Sequence, residues 1–186
     1  MFIFEKCRNM FWYVLFAANG KASKISNYFK STDIEHFFPM CYREKQIKDS
    51  QRKRLILQPL LGNLLFVKST KEILEPHLKE LKLQLGVASD LYYRDLGSKK
   101  LIVVPEKQMS NFIAVAGNKQ EKFIYLSNEE ATIKQGLKIR ITGGVFEGVE
   151  GVLMRIKGDR RVVVSIPNLF SVATAFVPTC FIQPLE

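Results

Sequence analysis

The sequence predicts an α+β protein: an N-terminal α/β sandwich over residues 10–117, then a small five-stranded β-barrel over 136–186. Three observations predict it. Phe11-Trp12-Tyr13-Val14-Leu15-Phe16 is aromatic and β-branched, the composition of a buried strand. Leu74, Leu78 and Leu81, and later Met109, Phe112, Ile113 and Ala116, recur at the spacing of helices with one apolar face. Ile139 and Ile141 alternate with Lys138, Arg140 and Thr142; Gly143-Gly144, Gly148 and Gly151 then lead into a second strand, Val152 to Ile156. Between the two lobes, 118–135 lacks periodicity and reads as a linker.

Composition sets the limits. The chain of 186 residues is 47% hydrophobic, enough for one substantial core or two small ones. Its net charge of +10 favours a polyanionic neighbourhood, because cationic surfaces bind nucleic acid through counterion release. Cys7, Cys41 and Cys180 are odd in number and show no metal-ligand spacing, so no disulfide framework or zinc site is implied. A reducing cytoplasm is the expected location. Lys6 and Arg8 ahead of Met10 to Ala18 also fit a secretory signal peptide. The aromatic, β-branched character of the run favours the strand. No other stretch is long and apolar enough to cross a membrane.

After this strand, Ala22, Ile25 and Phe29 mark an amphipathic helix within Gly20 to Ser31, with Lys21 and Lys24 on its polar side. Phe37 to Tyr42 reads as a strand whose Pro39 belongs at an edge or bulge. Arg43 to Arg54 is the most basic window, holding six cations against Glu44 and Asp49. Two readings stay open: a solvated hairpin loop, or a loop facing DNA or RNA. No aromatic interleaves the cluster, so base stacking is not expected.

Leu55 to Leu57 and Leu64 to Val67 read as strands around the Pro59 to Asn63 connection. Ser69 with Glu72 forms a capping box for the helix bearing Leu74, with Glu75 and Lys79 as an i,i+4 pair. Leu91 to Arg94 and Lys100 to Val104 form a hairpin around Asp95 to Ser98. Pro105 opens the last helix and Gly117 stops it. His36 and His77 are isolated. Phe123-Ile124-Tyr125-Leu126 is an apolar piece in the linker, either docked on a domain or used as an extra strand. Beyond 156, Lys157 to Arg160 turns into Arg161 to Ile166, and Ala173 to Val177 and Cys180 to Gln183 complete the barrel. Val162 to Val164 and Phe176 to Phe181 supply its core. Phe146, Asn168, Leu169 and Phe170 fall in turns, Phe170 being either core or surface.

The segment GLKIRITGGVFEGVEGVLMRI resembles the KOW motif, and Trp12-Tyr13-Val14 and PLLGNLLFVKS resemble segments of the N-terminal domain of NusG-type transcription factors. The resemblance covers nearly the whole chain, with both domains in NusG order. It extends to specialised paralogues, the UpxY-type antiterminators of surface-polysaccharide loci, through GGVFEGVEG and RRVVVSI. It implies an NGN domain (10–117), a linker (118–135) and an SH3-like KOW barrel (136–186). It also implies an elongation and antitermination factor: the first domain rides on the clamp helices of RNA polymerase, and the KOW domain recruits a ribosomal protein or Rho.

On that resemblance, Phe16, Leu61, Leu64, Phe66, Tyr92 and Tyr93 match the clamp-binding surface, although strand alternation prevents all six from facing one partner. Lys21, Lys24, Arg43, Arg52, Lys53 and Arg54 are the candidates for nucleic acid in the elongation complex, and Phe146, Leu169 and Phe170 for the KOW partner. Members often carry an aromatic where this chain has Leu64. The alternative is a ribosome-associated or free RNA-binding KOW protein. Residues 131–186 carry only +3 of the net charge, low for a barrel that clamps RNA alone. No nucleophile and base pair, carboxylate dyad, P-loop or metal spacing points to an enzyme or a cofactor.

Overall fold

A computed structural model describes residues 10–47, 52–87, 90–117, 124–126, 136–156, 158–166 and 169–185. In chain order the elements are β1 (Phe11–Phe16), α1 (Ala22–Ser31), β2 (His36–Phe37), β3 (Met40–Gln46), β4 (Lys53–Pro59), β5 (Leu64–Ser69), α2 (Lys71–Leu85), β6 (Val103–Val104) and α3 (Glu106–Ala116). They continue with β7 (Ile124–Leu126), β8 (Leu137–Ile141), β9 (Glu150–Ile156), β10 (Asp159–Ile166), β11 (Phe170–Ala173) and β12 (Ile182–Pro184). The fold is α+β, with antiparallel sheets and, among the described residues, three α-helices. Two compact units divide it: residues up to Pro39 with Pro59–Glu106, and Met40–Gln58 with residues from Lys107 onward.

In the first unit the sheet order is β2-β5-β1-β6, antiparallel throughout. Tyr13, Leu15, Ala17, Leu65 and Val67 form one core with Ala22, Ile25 and Phe29 of α1 and Leu74, Leu78 and Leu81 of α2. The two leucine- and phenylalanine-bearing helical stripes therefore cover one face of the sheet. Because strand side chains alternate, Trp12, Val14 and Phe16 point to the other face. The strand expected over Phe37 to Tyr42 is split, since Phe38 and Pro39 lie between β2 and β3. Pro39 has no N–H for a ladder, which is reason enough for the break.

α2 starts one residue later than expected. Thr70 is its N-cap, with extended backbone and its Oγ1 accepting the Ile73 N–H at 3.4 Å; Ser69 instead ends β5. Glu72 then sits two residues past the cap rather than three, so the expected capping box does not form. The i,i+4 pair that closes is Lys71–Glu75 at 3.5 Å. Gly86 ends the helix in the left-handed region at φ 58°, as a C-terminal glycine should. Tyr28 ties α1 to α2: its hydroxyl donates to Glu80 at 2.6 Å and lies 2.8 Å from His77 Nδ1. With that proton given to Glu80, Nδ1–H of His77 is the donor to the Tyr28 oxygen. Burial, then the Glu80 carboxylate, pushes the phenol up to about 12.

In the second unit the sheet order is β12-β8-β9-β10-β11-β7. Among the described residues five strands come from 136 onward, the number expected; the sixth, β7, is the apolar piece of the linker, paired with β11. Of the two readings open for that piece, the extra strand is the one formed. Phe123 of that piece lies outside the described residues, as do Lys157, Asn168, 48–51 and 1–9. Gly148 has φ 84°, and a Cβ at Gly151 would stand 2.5 Å from the Val163 carbonyl, so the glycine loop is required by both angle and space.

Two placements here differ from expectation. The strand expected over Ala173 to Val177 lies earlier, at Phe170–Ala173, and a 3-10 turn over Thr179–Phe181 precedes β12. The aromatic roles are exchanged. Phe146 is buried at 4% exposure, whereas Phe176, expected in the core, is 59% exposed.

Candidate functional site

The β1–β5 register decides which of the clamp-matching residues share a surface. Phe16 stands opposite Leu64, Val14 opposite Phe66 and Trp12 opposite Lys68, so these six residues share the face turned away from α1 and α2. Leu91 to Tyr93 runs along the other edge of β1: the Phe16 N–H donates to the Leu91 carbonyl and the Tyr93 N–H to the Val14 carbonyl, each at 2.8 Å. Leu15 bridges to Tyr92. Tyr92 therefore joins the helix-covered face, where its ring meets Tyr13 edge-on at 5.6 Å. Tyr93, one residue on, faces the opposite way, with its ring 6.1 Å from Phe16.

The structure thus brings together Phe16, Leu64 and Tyr93, with Phe66 on the same face. Phe16 is 40% exposed, Leu64 and Tyr93 are half-buried, and Phe66 is fully buried. Leu61 is half-buried in the turn before β5, where its carbonyl accepts the Leu64 N–H. Tyr92 is separated from the group. Its hydroxyl is buried without a hydrogen-bond partner among the described residues, and burial followed by the nearby Glu75 pushes its pKa well above the tyrosine range.

The same face is polar at its other end. Glu106 accepts the Trp12 indole N–H on Oε2 and Lys68 Nζ on Oε1, both at 3.0 Å, and Lys68 also lies 3.5 Å from Glu35. The ammonium sits 5.8 Å from the centre of the Trp12 ring. The hydrogen bond to Glu106 leads the interactions that raise the Lys68 pKa. Among the described residues an apolar rim at Phe16 and an ionic cluster at Trp12 therefore bound one sheet face.

The basic candidates divide. Lys21 Nζ donates to the Leu85 carbonyl at 2.8 Å, a cation set at the C-terminal end of α2, where the helix dipole favours it. Lys24 is exposed on α1. Arg43, Arg52, Lys53 and Arg54 belong to the β3–β4 hairpin, a separate two-stranded sheet with exposed side chains along most of its length. Lys53 pairs with Glu44 at 3.0 Å. Lys45, one of the six cations of the basic window, and the 52% exposed Tyr42 also lie on this hairpin and are not among the candidates. The basic window, a loop in both of its open readings, is in its described part mostly strand.

In the second unit Phe170 is buried at 1% exposure in β11, its ring 4.9 Å from Phe112 of α3 and 6.1 Å from Tyr125 of β7. Core was one of its two open readings and is the one observed. Leu169 is half-buried. Glu150 holds three groups of this unit: Lys107 Nζ at 2.6 Å, Arg140 at 2.5 Å, and, through its backbone N–H, Asn111 Oδ1 at 3.2 Å. Lys107, then Arg140, holds its carboxyl below the usual glutamate range. Exposed apolar side chains of this unit from residue 124 onward include Tyr125 at 44%, Leu137 at 53%, Val145 at 62% and Phe176 at 59%.

Both histidines are hydrogen-bonded to neighbouring groups. His36 Nε2 meets Ser26 Oγ at 3.1 Å and its Nδ1 the Ile34 carbonyl at 3.0 Å; His77 is held by Tyr28. Among the described residues no group of three or more His, Cys, Asp or Glu side chains could hold a metal ion. No described helix is long and apolar enough to cross a membrane.

No curated protein matches the chain. A family model described as transcription termination factor NusG matches residues 10–113. That match spans more than half of the sequence and includes β1, the Pro59 to Ser69 segment and the Tyr92–Tyr93 edge, and the chain belongs to the NusG family of transcription elongation and termination factors.

Proposed function

We propose that this chain binds RNA polymerase through the sheet face bearing Phe16, Leu64 and Tyr93, holds the polymerase in its elongating state and recruits a further factor through a KOW-type C-terminal module. The observation that carries the reading is the grouping of those three side chains, exposed or half-buried, on one face inside the NusG-matching residues. A bound factor shifts polymerase between states only by its differential affinity for them, so contact must favour the closed clamp.

The glycine loop between β8 and β9, and the five strands from residue 136 onward, support the KOW reading and with it a small SH3-like barrel. Leu169, Val145 and Phe176 supply accessible apolar surface for a recruited ribosomal protein or Rho. The segments GGVFEGVEG and RRVVVSI support a role in antitermination at surface-polysaccharide operons. The protein works by binding, without an enzymatic step, in the cytoplasm.

The test is transcription by purified polymerase on a template with a strong pause. The full chain shortens the pause, and Phe16→Ala with Tyr93→Ala abolishes the effect while leaving the fold intact by circular dichroism. An unchanged pause with the wild-type chain refutes the proposal.

A further inference from the structure

The meander β8-β9-β10 sorts its side chains by face and by end. Leu137 stands opposite Leu153, Leu153 opposite Val162 and Arg155 opposite Arg160, so these residues share one face. The glycine loop joins the end of β8 to the start of β9, and the connection holding Leu169 joins the antiparallel β10 and β11 at that same end. Leu137, Arg155 and Arg160 therefore lie at the opposite end, beside the tight turn through Gly158 at φ 89°.

Two rows form there. Leu137 is 53% exposed next to the half-buried Leu153, and two residues further along the same face, about 6.7 Å at the usual strand rise, Arg155 and Arg160 are both exposed. Among the described residues of β8, β9 and β10 no acid falls on this face. Glu150 and Asp159 belong to the other one, where Lys107 and Arg140 hold Glu150 and Arg161 holds Asp159.

Like charges directly opposed across two strands weaken the pairing. A carboxylate set between them reverses that, and arginine forks suit carboxylates through paired hydrogen bonds. Ile156 and Asp159 face each other, so a two-residue turn fixes the positions of both arginines before any partner arrives, which lowers the cost of binding. Two cations would give a salt slope of only about 1.8 on duplex DNA, a weak hold on a nucleic acid, and a phosphate backbone offers Leu137 no apolar contact. An apolar row beside a cationic row fits a protein.

We propose that Leu137, Leu153, Arg155 and Arg160 form a second protein-binding surface of the C-terminal module, at the end away from Phe146 and Leu169, and that its ligand is an acidic segment with an apolar residue two positions from a carboxylate. In an extended chain, residues two apart point to one side about 6.7 Å from each other, the spacing of the two rows. The inference goes beyond the function proposed above and does not depend on what the glycine-loop end recruits.

The experiment is fluorescence anisotropy of the full chain with a labelled peptide of repeating Leu-Thr-Glu-Thr, competed by the unlabelled peptide, by its Leu-Thr-Lys-Thr counterpart and by single-stranded RNA. The glutamate peptide binds, and only its unlabelled form displaces it. Arg160→Gln and Leu137→Ser each weaken binding by about tenfold, the scale of one charge-assisted hydrogen bond or one buried apolar contact. Arg160→Glu abolishes binding while its urea midpoint rises, because an opposite charge then faces Arg155; a more stable fold that no longer binds separates lost contact from misfolding. Lys138→Gln removes a cation from the other face, one residue from Leu137, and leaves binding unchanged. Absence of binding to the glutamate peptide would overturn the proposal, as would equal losses in Lys138→Gln and Arg160→Gln, which would reduce the effect to diffuse charge. Displacement by RNA as strong as by the unlabelled glutamate peptide would assign the face to nucleic acid and also overturn it.

Discussion

Tyr92 bridges to Leu15, which puts its ring edge-on to Tyr13 on the helix-covered side of the sheet, while Tyr93 turns to Phe16 on the other side. Adjacent tyrosines thus have different work. Tyr92 packs the interior of the first unit, and Tyr93 belongs to the accessible apolar rim.

Tyr92→Phe is expected to raise stability by about 1 kcal/mol, because it removes a buried hydroxyl that has no partner among the described residues. Tyr92→Ala is expected to cost about 3 kcal/mol by opening a cavity. Urea denaturation midpoints of the two variants check both signs. A loss of activity in Tyr92→Ala would therefore report unfolding rather than a lost contact.

Glu150 gives the second unit an acid-sensitive joint. Its folded pKa is depressed by Lys107 and Arg140 below the ordinary value of 4.5. A depressed carboxylate contributes stability above its unfolded pKa, and that contribution is lost as pH falls through the folded value. Near neutrality Glu150→Gln should be less stable than the wild type, and the gap should close below pH 4.5. Thermal unfolding of both chains across the acid range measures it.

Thr70→Ala should destabilise by about 1 kcal/mol, the usual cost of losing an N-cap side chain. Denaturant unfolding measures it, and restoration by Thr70→Ser would show that the hydroxyl is responsible.

Much of this was legible in the sequence where a period repeats. The stripe Leu74, Leu78, Leu81 and the triplet Ala22, Ile25, Phe29 are all buried where helical spacing puts them, because burial enforces periodicity. Single-residue choices were not legible. Ser69 and Thr70 are both good caps, and only the end of β5 decides between them. The split between Tyr92 and Tyr93 is set by cross-strand register, which one strand's composition does not encode. Phe146 and Phe176 both sit in irregular segments, where exposure follows tertiary packing.

The most direct measurement is the affinity of the full chain for RNA polymerase core, for the wild type beside Phe16→Ala, Tyr93→Ala and Tyr92→Phe. The sheet-face account predicts that Phe16→Ala and Tyr93→Ala each weaken binding by about tenfold or more, the range of a buried apolar contact worth over 1.4 kcal/mol. Tyr92→Phe should bind as the wild type does. Unchanged binding in both alanine variants, with their folds intact, would contradict it.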